Sequence, residues 1–90
     1  MAVEAAERLY EAHRPALLGP SIRAAALACR NEEPVWQALS TGEQAFVRLA
    51  LSLWGAPGVT VALYRDLGAL DYEHRRAVVE AIATACRVTL

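Results

Sequence analysis

The feature that most constrains this sequence is a mostly apolar run in its middle, Leu39 to Trp54, which reads LSTGEQAFVRLALSLW. A helix over this run is apolar on nearly every side, because its polar residues after the first turn are four apart and form one stripe. These stripe residues are Gln44, Arg48 and Ser52. Solvent can therefore reach only one edge, and the run predicts a buried central helix. The residues expected in the core are Phe46, Leu49 and Leu53.

Both ends of the central helix are marked in the sequence. Two pairs have the capping-box spacing, in which a hydroxyl and a side-chain oxygen satisfy free amides of the first turn. They are Ser40 with Glu43 and Thr41 with Gln44, and the sequence leaves both open. Gly55 and Pro57 end the helix, since glycine tolerates the left-handed cap and proline cannot continue a helix.

The flanking segments also predict short helices. Ala2 to His13 is amphipathic and ends before Pro15. A second helix has Pro20 at its first position and runs to about Arg30. Asn31 is predicted to cap a short third helix, in which Pro34 lies in the first turn.

Asp71 is predicted to cap the last helix. Its expected solvent-facing residues are Glu73, Arg76, Glu80, Thr84 and Arg87. Its expected buried residues are Val78, Val79, Ile82 and Cys86. Before it, residues 59–70, VTVALYRDLGAL, alternate like a strand but also fit a short helix. Because a lone strand has no partner for its amides, we expect a short helix or an irregular turn.

These segments predict an all-α fold, a compact bundle of about five short helices around a buried central helix. Ninety residues suffice for one modest core, so residues 1–90 are predicted to form a single helical domain. The apolar fraction is 56%, and much of its excess over an ordinary soluble domain is alanine, which favours close helix packing.

Composition also limits the classes of partner. The net charge is −1 and charges of both signs are interspersed, which argues against nucleic acid and anionic membranes as partners. The nine basic residues are all Arg, a bias typical of GC-rich bacterial genomes. The sequence has neither an apolar run of about 18 residues nor a signal-peptide pattern at its start, so we expect a cytoplasmic protein without a membrane span. Cys29 and Cys86 are expected to be reduced core thiols.

No motif for catalysis, a cofactor or a metal is present. His13 and His74 fall in neither H-E-x-x-H nor E-x-x-H, and the acids near them in sequence are expected to point elsewhere. The serines are explained as caps or exposed residues, so no catalytic triad is assigned. An enzyme would instead require a concave pocket with converging titratable groups. We therefore expect no enzyme, no cofactor and no metal site.

Four stretches resemble, in order and spacing, the C-terminal half of ABC-type ATPases. They are LSTGEQ, RLALSLWGAPG, VTVAL and GALDYEHRRAVVEAI. In that family the first two stretches would be the signature and the helix that it opens, the third a strand that ends in Asp-Glu, and the fourth the A-L-D loop that opens another helix. Here Tyr64 and Arg65 stand where the acids belong, Gly42 is the only signature glycine, and the chain has neither a phosphate-binding loop nor Lys. The resemblance implies a degenerate relic or a docking module that does not bind nucleotide.

The L-S-x-x-E start of the central helix also resembles helix-turn-helix output domains of regulators. A recognition helix with polar and basic side chains should then follow, but residues 59–70 lack that character. A DNA-associated regulator is therefore the alternative to our main expectation.

The main expectation is a non-catalytic protein that acts through protein–protein association, either with another protein or as a homodimer. A small bundle has little interior near its helix ends, so aromatic residues there should stay partly exposed and favour an interface. Two adjacent arginines on the last helix are either solvated or available to bind an anionic group of a partner. The candidate interface residues are Trp36, Trp54, Tyr64, Tyr72, Arg75 and Arg76.

Overall fold

The computed structural model describes residues 2–90 and shows an all-α fold, so the predicted fold class is confirmed. Its helices are α1 (Ala2–His13), α2 (Ile22–Arg30), α3 (Pro34–Gln37), α4 (Thr41–Trp54), α5 (Leu63–Gly68) and α6 (Tyr72–Ala85), with a 3-10 turn at Ala16–Leu18. The radius of gyration of the described residues is 11.9 Å, close to the roughly 12 Å expected for a compact chain of this length. Met1, which the predicted domain includes, lies outside the described residues.

The central position of α4 is confirmed. It packs against α1, α2, α5 and α6, and its residues 45–51 are buried except for the partly buried Arg48. Phe46 is 2% exposed and Leu49 is 5% exposed, whereas Leu53 is half-buried at the edge of the core. The core thus forms mainly where α1 and α4 meet, and α6 covers α1 and part of α4.

The ends of α4 resolve the capping alternatives. Ser40 is the N-cap: its Oγ accepts from the Glu43 amide at 3.1 Å, and Glu43 Oε1 accepts from the Ser40 amide at 2.9 Å. The second pair makes no such box, because Gln44 instead donates to the Trp36 carbonyl. At the other end Gly55 adopts the left-handed conformation, with φ of 87°, which favours glycine.

Two predicted helix starts are wrong by one or more residues. Pro20 precedes α2, whose N-cap is Ser21 with its hydroxyl accepting from the Ala24 amide. Asn31 ends α2 instead of capping α3, and α3 begins at Pro34 after Glu33. In both places the helix starts two residues later than predicted.

Some predicted faces are also wrong. Gln44 and Arg48 are partly buried rather than solvent-facing, and of that stripe only Ser52 is exposed. On α6, Val78 is buried as expected, but Val79 is 38% exposed and Cys86 is exposed. The bundle covers α6 on a narrower face than the apolar pattern indicates.

The ambiguous segment resolves into irregular backbone followed by the short helix α5. Within the described residues, the backbone of residues 58–61 makes no hydrogen bond to other backbone or side-chain groups. The helix begins where Asp66 Oδ2 accepts from the Ala62 amide at 3.3 Å. This short helix packs on α4 and accounts for the sixth α-helix, beyond the five predicted.

Candidate functional site: a histidine-lined pocket

A concavity lies where the C-terminal end of α1 meets the N-terminal ends of α4 and α6. It has a volume of about 480 Å³. The elements meet here because both caps, Ser40 and Asp71, begin helices at the same end of the bundle. Gly42, in the first turn of α4, allows the turn between α5 and α6 to approach closely, since a Cβ at this position would lie 3.1 Å from the Ala69 carbonyl oxygen.

Three aromatic rings form one wall of this pocket. The His13 and His74 ring centres are 5.2 Å apart, with the rings inclined at 65°. Phe46 packs edge-on against both of them, with centre distances of 6.2 Å to His13 and 5.9 Å to His74. Phe46 is itself buried in the core, so it supports both imidazole rings from the inner side of the pocket.

Asp71 holds His74 through two hydrogen bonds to the same oxygen. The His74 amide lies 2.8 Å from Asp71 Oδ1, as does the His74 ring atom Nδ1. The backbone hydrogen bond from His74, followed by the side-chain one, lowers the pKa of the Asp71 carboxyl. The expectation that acids near the histidines point elsewhere is therefore wrong for Asp71.

This contact also determines the tautomer of His74. An ionised carboxylate only accepts hydrogen bonds, so Nδ1 carries the proton and donates it to Asp71. In the neutral imidazole, Nε2 then has the free lone pair. The His13 ring makes no hydrogen bond within residues 2–90.

The charged groups that line the pocket have an excess of negative charge. The lining contains one guanidinium, from Arg14, and two carboxylates, from Glu43 and Asp71. Its net charge is therefore −1 when the histidines are neutral. Both carboxylates also cap helices. There they offset the partial positive charge of the helix N-terminal ends, so the charge of the pocket favours neither cations nor anions.

A second polar cluster lies where α5 packs on α4. Asp66 is 1% exposed, and its Oδ1 accepts from Arg48 at 3.0 Å and from Arg65 at 3.2 Å. Burial by itself raises the pKa of the Asp66 carboxyl, but hydrogen bonds and positive charge from Arg48 and Arg65 outweigh it and lower that pKa. Arg48 Nε is buried without a partner in the part of the chain that the structure describes. The cluster attaches α5 to α4.

The four aromatic candidates for the interface differ in exposure. Tyr64 is 94% exposed and Tyr72 is 72% exposed, so both are available to a partner. Trp36 is 8% exposed and belongs to the core, which removes it from any surface. Trp54 is half-buried, and the Arg23 guanidinium lies 5.8 Å from the centre of its ring.

The two arginines of α6 have partners within the chain. Arg75 donates to the carbonyl oxygens of Leu67 and Leu70 at 3.0 and 2.9 Å, which ties the end of α5 to α6. Arg76 pairs with Glu80 at 2.7 Å on the exposed face. Neither arginine is an uncommitted anion-binding group.

The cysteines differ in environment. Cys29 is half-buried, and burial raises the pKa of its thiol more than the charge of Arg48 lowers it. The exposure of Cys86 contradicts its expected place in the core. Both thiols are free.

Sequence reasoning missed the pairing of the histidines, which come from opposite ends of the chain. One local signal was present, because Asp71 and His74 have the spacing of an N-cap and the third helical residue. For the Asp66 cluster, the signal was a lone Arg on an apolar helix and a lone Asp in the apolar segment that follows.

Fold and site together define a small all-α protein with a histidine-lined pocket. The chain matches no protein-family model, no curated protein and no solved structure. The resemblance to ABC-type ATPases therefore stays a prediction. No helix in residues 2–90 has the length and apolar composition needed to span a lipid bilayer. Over the same range, no three or more His, Cys, Asp or Glu side chains are grouped so as to hold a metal ion.

Proposed function

We propose that this chain is a non-catalytic helical protein that acts through protein–protein association, and that its partner is a second copy of itself. The observation that carries the proposal is the outer face of α5. There Leu63 is 55% exposed and Tyr64 is 94% exposed on an ordered helix. Aromatic residues are enriched in interfaces, and an exposed Tyr beside an exposed Leu provides an apolar contact with a polar tip.

The attachment of α5 supports this use of its outer face. Asp66 is held by Arg48 of α4 and by Arg65, and Arg75 of α6 binds the end of α5 through the Leu67 carbonyl. These contacts fix the backbone of α5 on the bundle, and with it the positions from which the exposed side chains project. Such preorganisation lowers the entropy lost when an interface forms.

The segment before α5 adds a second kind of contact. The peptide groups of residues 58–61 have no backbone hydrogen-bond partner in the described part of the chain, and Val59 and Val61 are half-buried beside them. A partner can therefore bind their amides and carbonyls. The proposed interface comprises this segment and the outer face of α5, and the C-terminal end of α4 lies next to it in sequence.

Charge and area are compatible with self-association. A net charge of −1 gives little repulsion between two copies. A typical stable interface buries about 800 Å² on each partner, which is roughly one seventh of this molecule's accessible surface. That surface measures 5536 Å² over the described residues. A two-fold arrangement would need only one face of the bundle from each copy.

Light scattering over a concentration series tests the proposal. We expect a mass of about twice the 9.7 kDa chain at high concentration. Replacing Tyr64 with Ser should shift association to higher concentration. The matched control is Leu27→Ser on α2, which removes a side chain that is 48% exposed from another element and should leave association unchanged.

Two results would contradict the homodimer. One is a monomer at every concentration up to the solubility limit. The other is a dimer that Tyr64→Ser and Leu27→Ser affect equally, which would place the interface elsewhere.

A further inference from the structure

The pocket at the N-terminal ends of α4 and α6 contains the two histidines of the sequence, which protein–protein association through α5 does not use. We propose that His13 and His74 form a binding site for one divalent transition-metal ion of the zinc, nickel and copper class. The site is independent of the interface proposed above.

The distance between the two rings fits a shared ion. A zinc–imidazole bond is about 2.0–2.1 Å long, so two imidazoles on one tetrahedral ion have ring centres roughly 5 Å apart. The observed distance is 5.2 Å, and the rings are inclined at 65° instead of stacked. Phe46 supports both rings at this separation from the buried side.

Asp71 prepares His74 for this role. A histidine that binds a metal usually donates its other ring N–H to a carboxylate, which fixes the tautomer and increases the basicity of the ligand nitrogen. Asp71 accepts from Nδ1 at 2.8 Å and so leaves Nε2 to bind the ion. Because Asp71 also caps α6 through the His74 amide, backbone and ring are held by the same oxygen.

The choice of metal follows from the donor atoms. Imidazole nitrogens suit zinc, nickel and copper, whereas magnesium and calcium require several oxygen ligands. The pocket carboxylates of Glu43 and Asp71 already cap helices and offset the partial positive charge of the helix N-terminal ends. Two protein ligands leave coordination positions for water or an external ligand, so binding should be weaker than at a four-ligand site.

Calorimetric titration of the untagged chain with Zn²⁺ or Ni²⁺ tests this site. The starting protein should carry Cys29→Ser and Cys86→Ser, because free thiols also bind these metals. We expect one ion per chain, with Mg²⁺ and Ca²⁺ giving no heat of binding. In the same background, either His13→Gln or His74→Gln should weaken binding at least tenfold, and each variant's helical content is checked by circular dichroism.

Two further variants separate the metal site from the helix caps. Asp71→Asn retains a good N-cap but is a poorer partner for the ring, and it should weaken binding roughly 10–100-fold. Glu43→Gln is the matched control for the loss of one pocket charge, since Gln also completes a capping box, and it should weaken binding much less than Asp71→Asn.

Zn²⁺ should also shift the ring-proton NMR signals of both histidines in the starting protein, which carries the two cysteine substitutions and keeps His13 and His74. Absence of binding, equal affinity for Mg²⁺, or full affinity in the folded His13→Gln or His74→Gln variant would overturn the proposal. None of these results bears on the dimer, whose test is the concentration dependence of mass.

Discussion

The two sides of α4 are covered in different ways. On one side, α1 and α6 bury an apolar surface in which Phe46, Val47 and Tyr10 are almost wholly excluded from water. On the other side, α5 is only six residues long, and its one buried side chain is Asp66, a carboxylate held by arginines. The first side is joined by apolar area, whereas the second combines a few directed polar contacts with the partly buried Leu67.

This difference indicates how each side should respond to change. Apolar packing is spread over many contacts and depends on volume. A buried ion pair is concentrated in a few atoms, and its loss leaves an uncompensated charge. We therefore expect the α1, α4 and α6 side to fail globally and the α5 side to detach locally.

The largest effect should come from Phe46→Ala. The ring is 2% exposed and contacts both histidines, so its removal leaves a cavity beside the histidine-lined pocket and should cost about 3–5 kcal/mol. Denaturant unfolding measures this change. Leu63→Ala on α5 is the control and should stay within about 0.5 kcal/mol, because Leu63 is exposed. Equal shifts in the two variants would abolish the distinction between the two sides.

Asp66→Asn should cost about 3 kcal/mol, since it leaves Arg48 partly buried without its charge partner. Amide hydrogen exchange should show the loss first in residues 62–70. Replacing Asp66 with Leu and Arg48 with Met together should recover most of the stability, because two apolar residues leave no buried charge. A double variant less stable than Asp66→Asn would show that the attraction within the ion pair exceeds the free-energy cost of burying its charges.

Lowering the pH should also weaken the attachment of α5 to α4, because it protonates Asp66. The pKa of Asp66 is lower in the folded protein than in the unfolded chain, where it is about 3.9. The resulting stability is present above pH of about 4 and is lost as the pH falls through the folded-state pKa. The difference in unfolding free energy between the wild type and Asp66→Asn should therefore shrink as the pH falls below about 4. A constant difference would contradict the assigned ionisation of Asp66.

The smallest of these effects should come from Ser40→Ala, at about 1 kcal/mol, through loss of the cap of α4. Thr41→Ala is the matched control and should change stability by less than about 0.5 kcal/mol, because Thr41 is exposed and makes no cap. Denaturant unfolding of the two variants compares the two capping pairs that the sequence left open. A larger loss in Thr41→Ala would reverse the assignment.

Local chemistry made several elements predictable. Gly55 ends α4, Pro15 follows the end of α1, and Asp71 caps α6, each because its effect acts within one helical turn. Prediction failed where a residue fitted two neighbouring positions. Asn31, for example, fits both the end of one helix and the start of the next.

Assignment of faces failed where a distant element covered a polar residue. Arg48 has the spacing of a solvent-facing stripe, but α5 brings Asp66 over it. Trp36 lies at a short helix near a connection, yet it is buried in the core. Periodicity specifies which residues share a helix face, whereas neighbouring helices decide what that face meets.

The sequence by itself determined the all-α class, the central place of Leu39 to Trp54 and the main helix ends, because caps, prolines and apolar spacing act over a few residues. Only the tertiary structure decided that His13 meets His74, that Asp66 of α5 is buried against Arg48 of α4 and that Tyr64 faces solvent. The packing of α1 against α4 and α6 brings the histidines together across most of the chain, and no spacing within one segment encodes that contact.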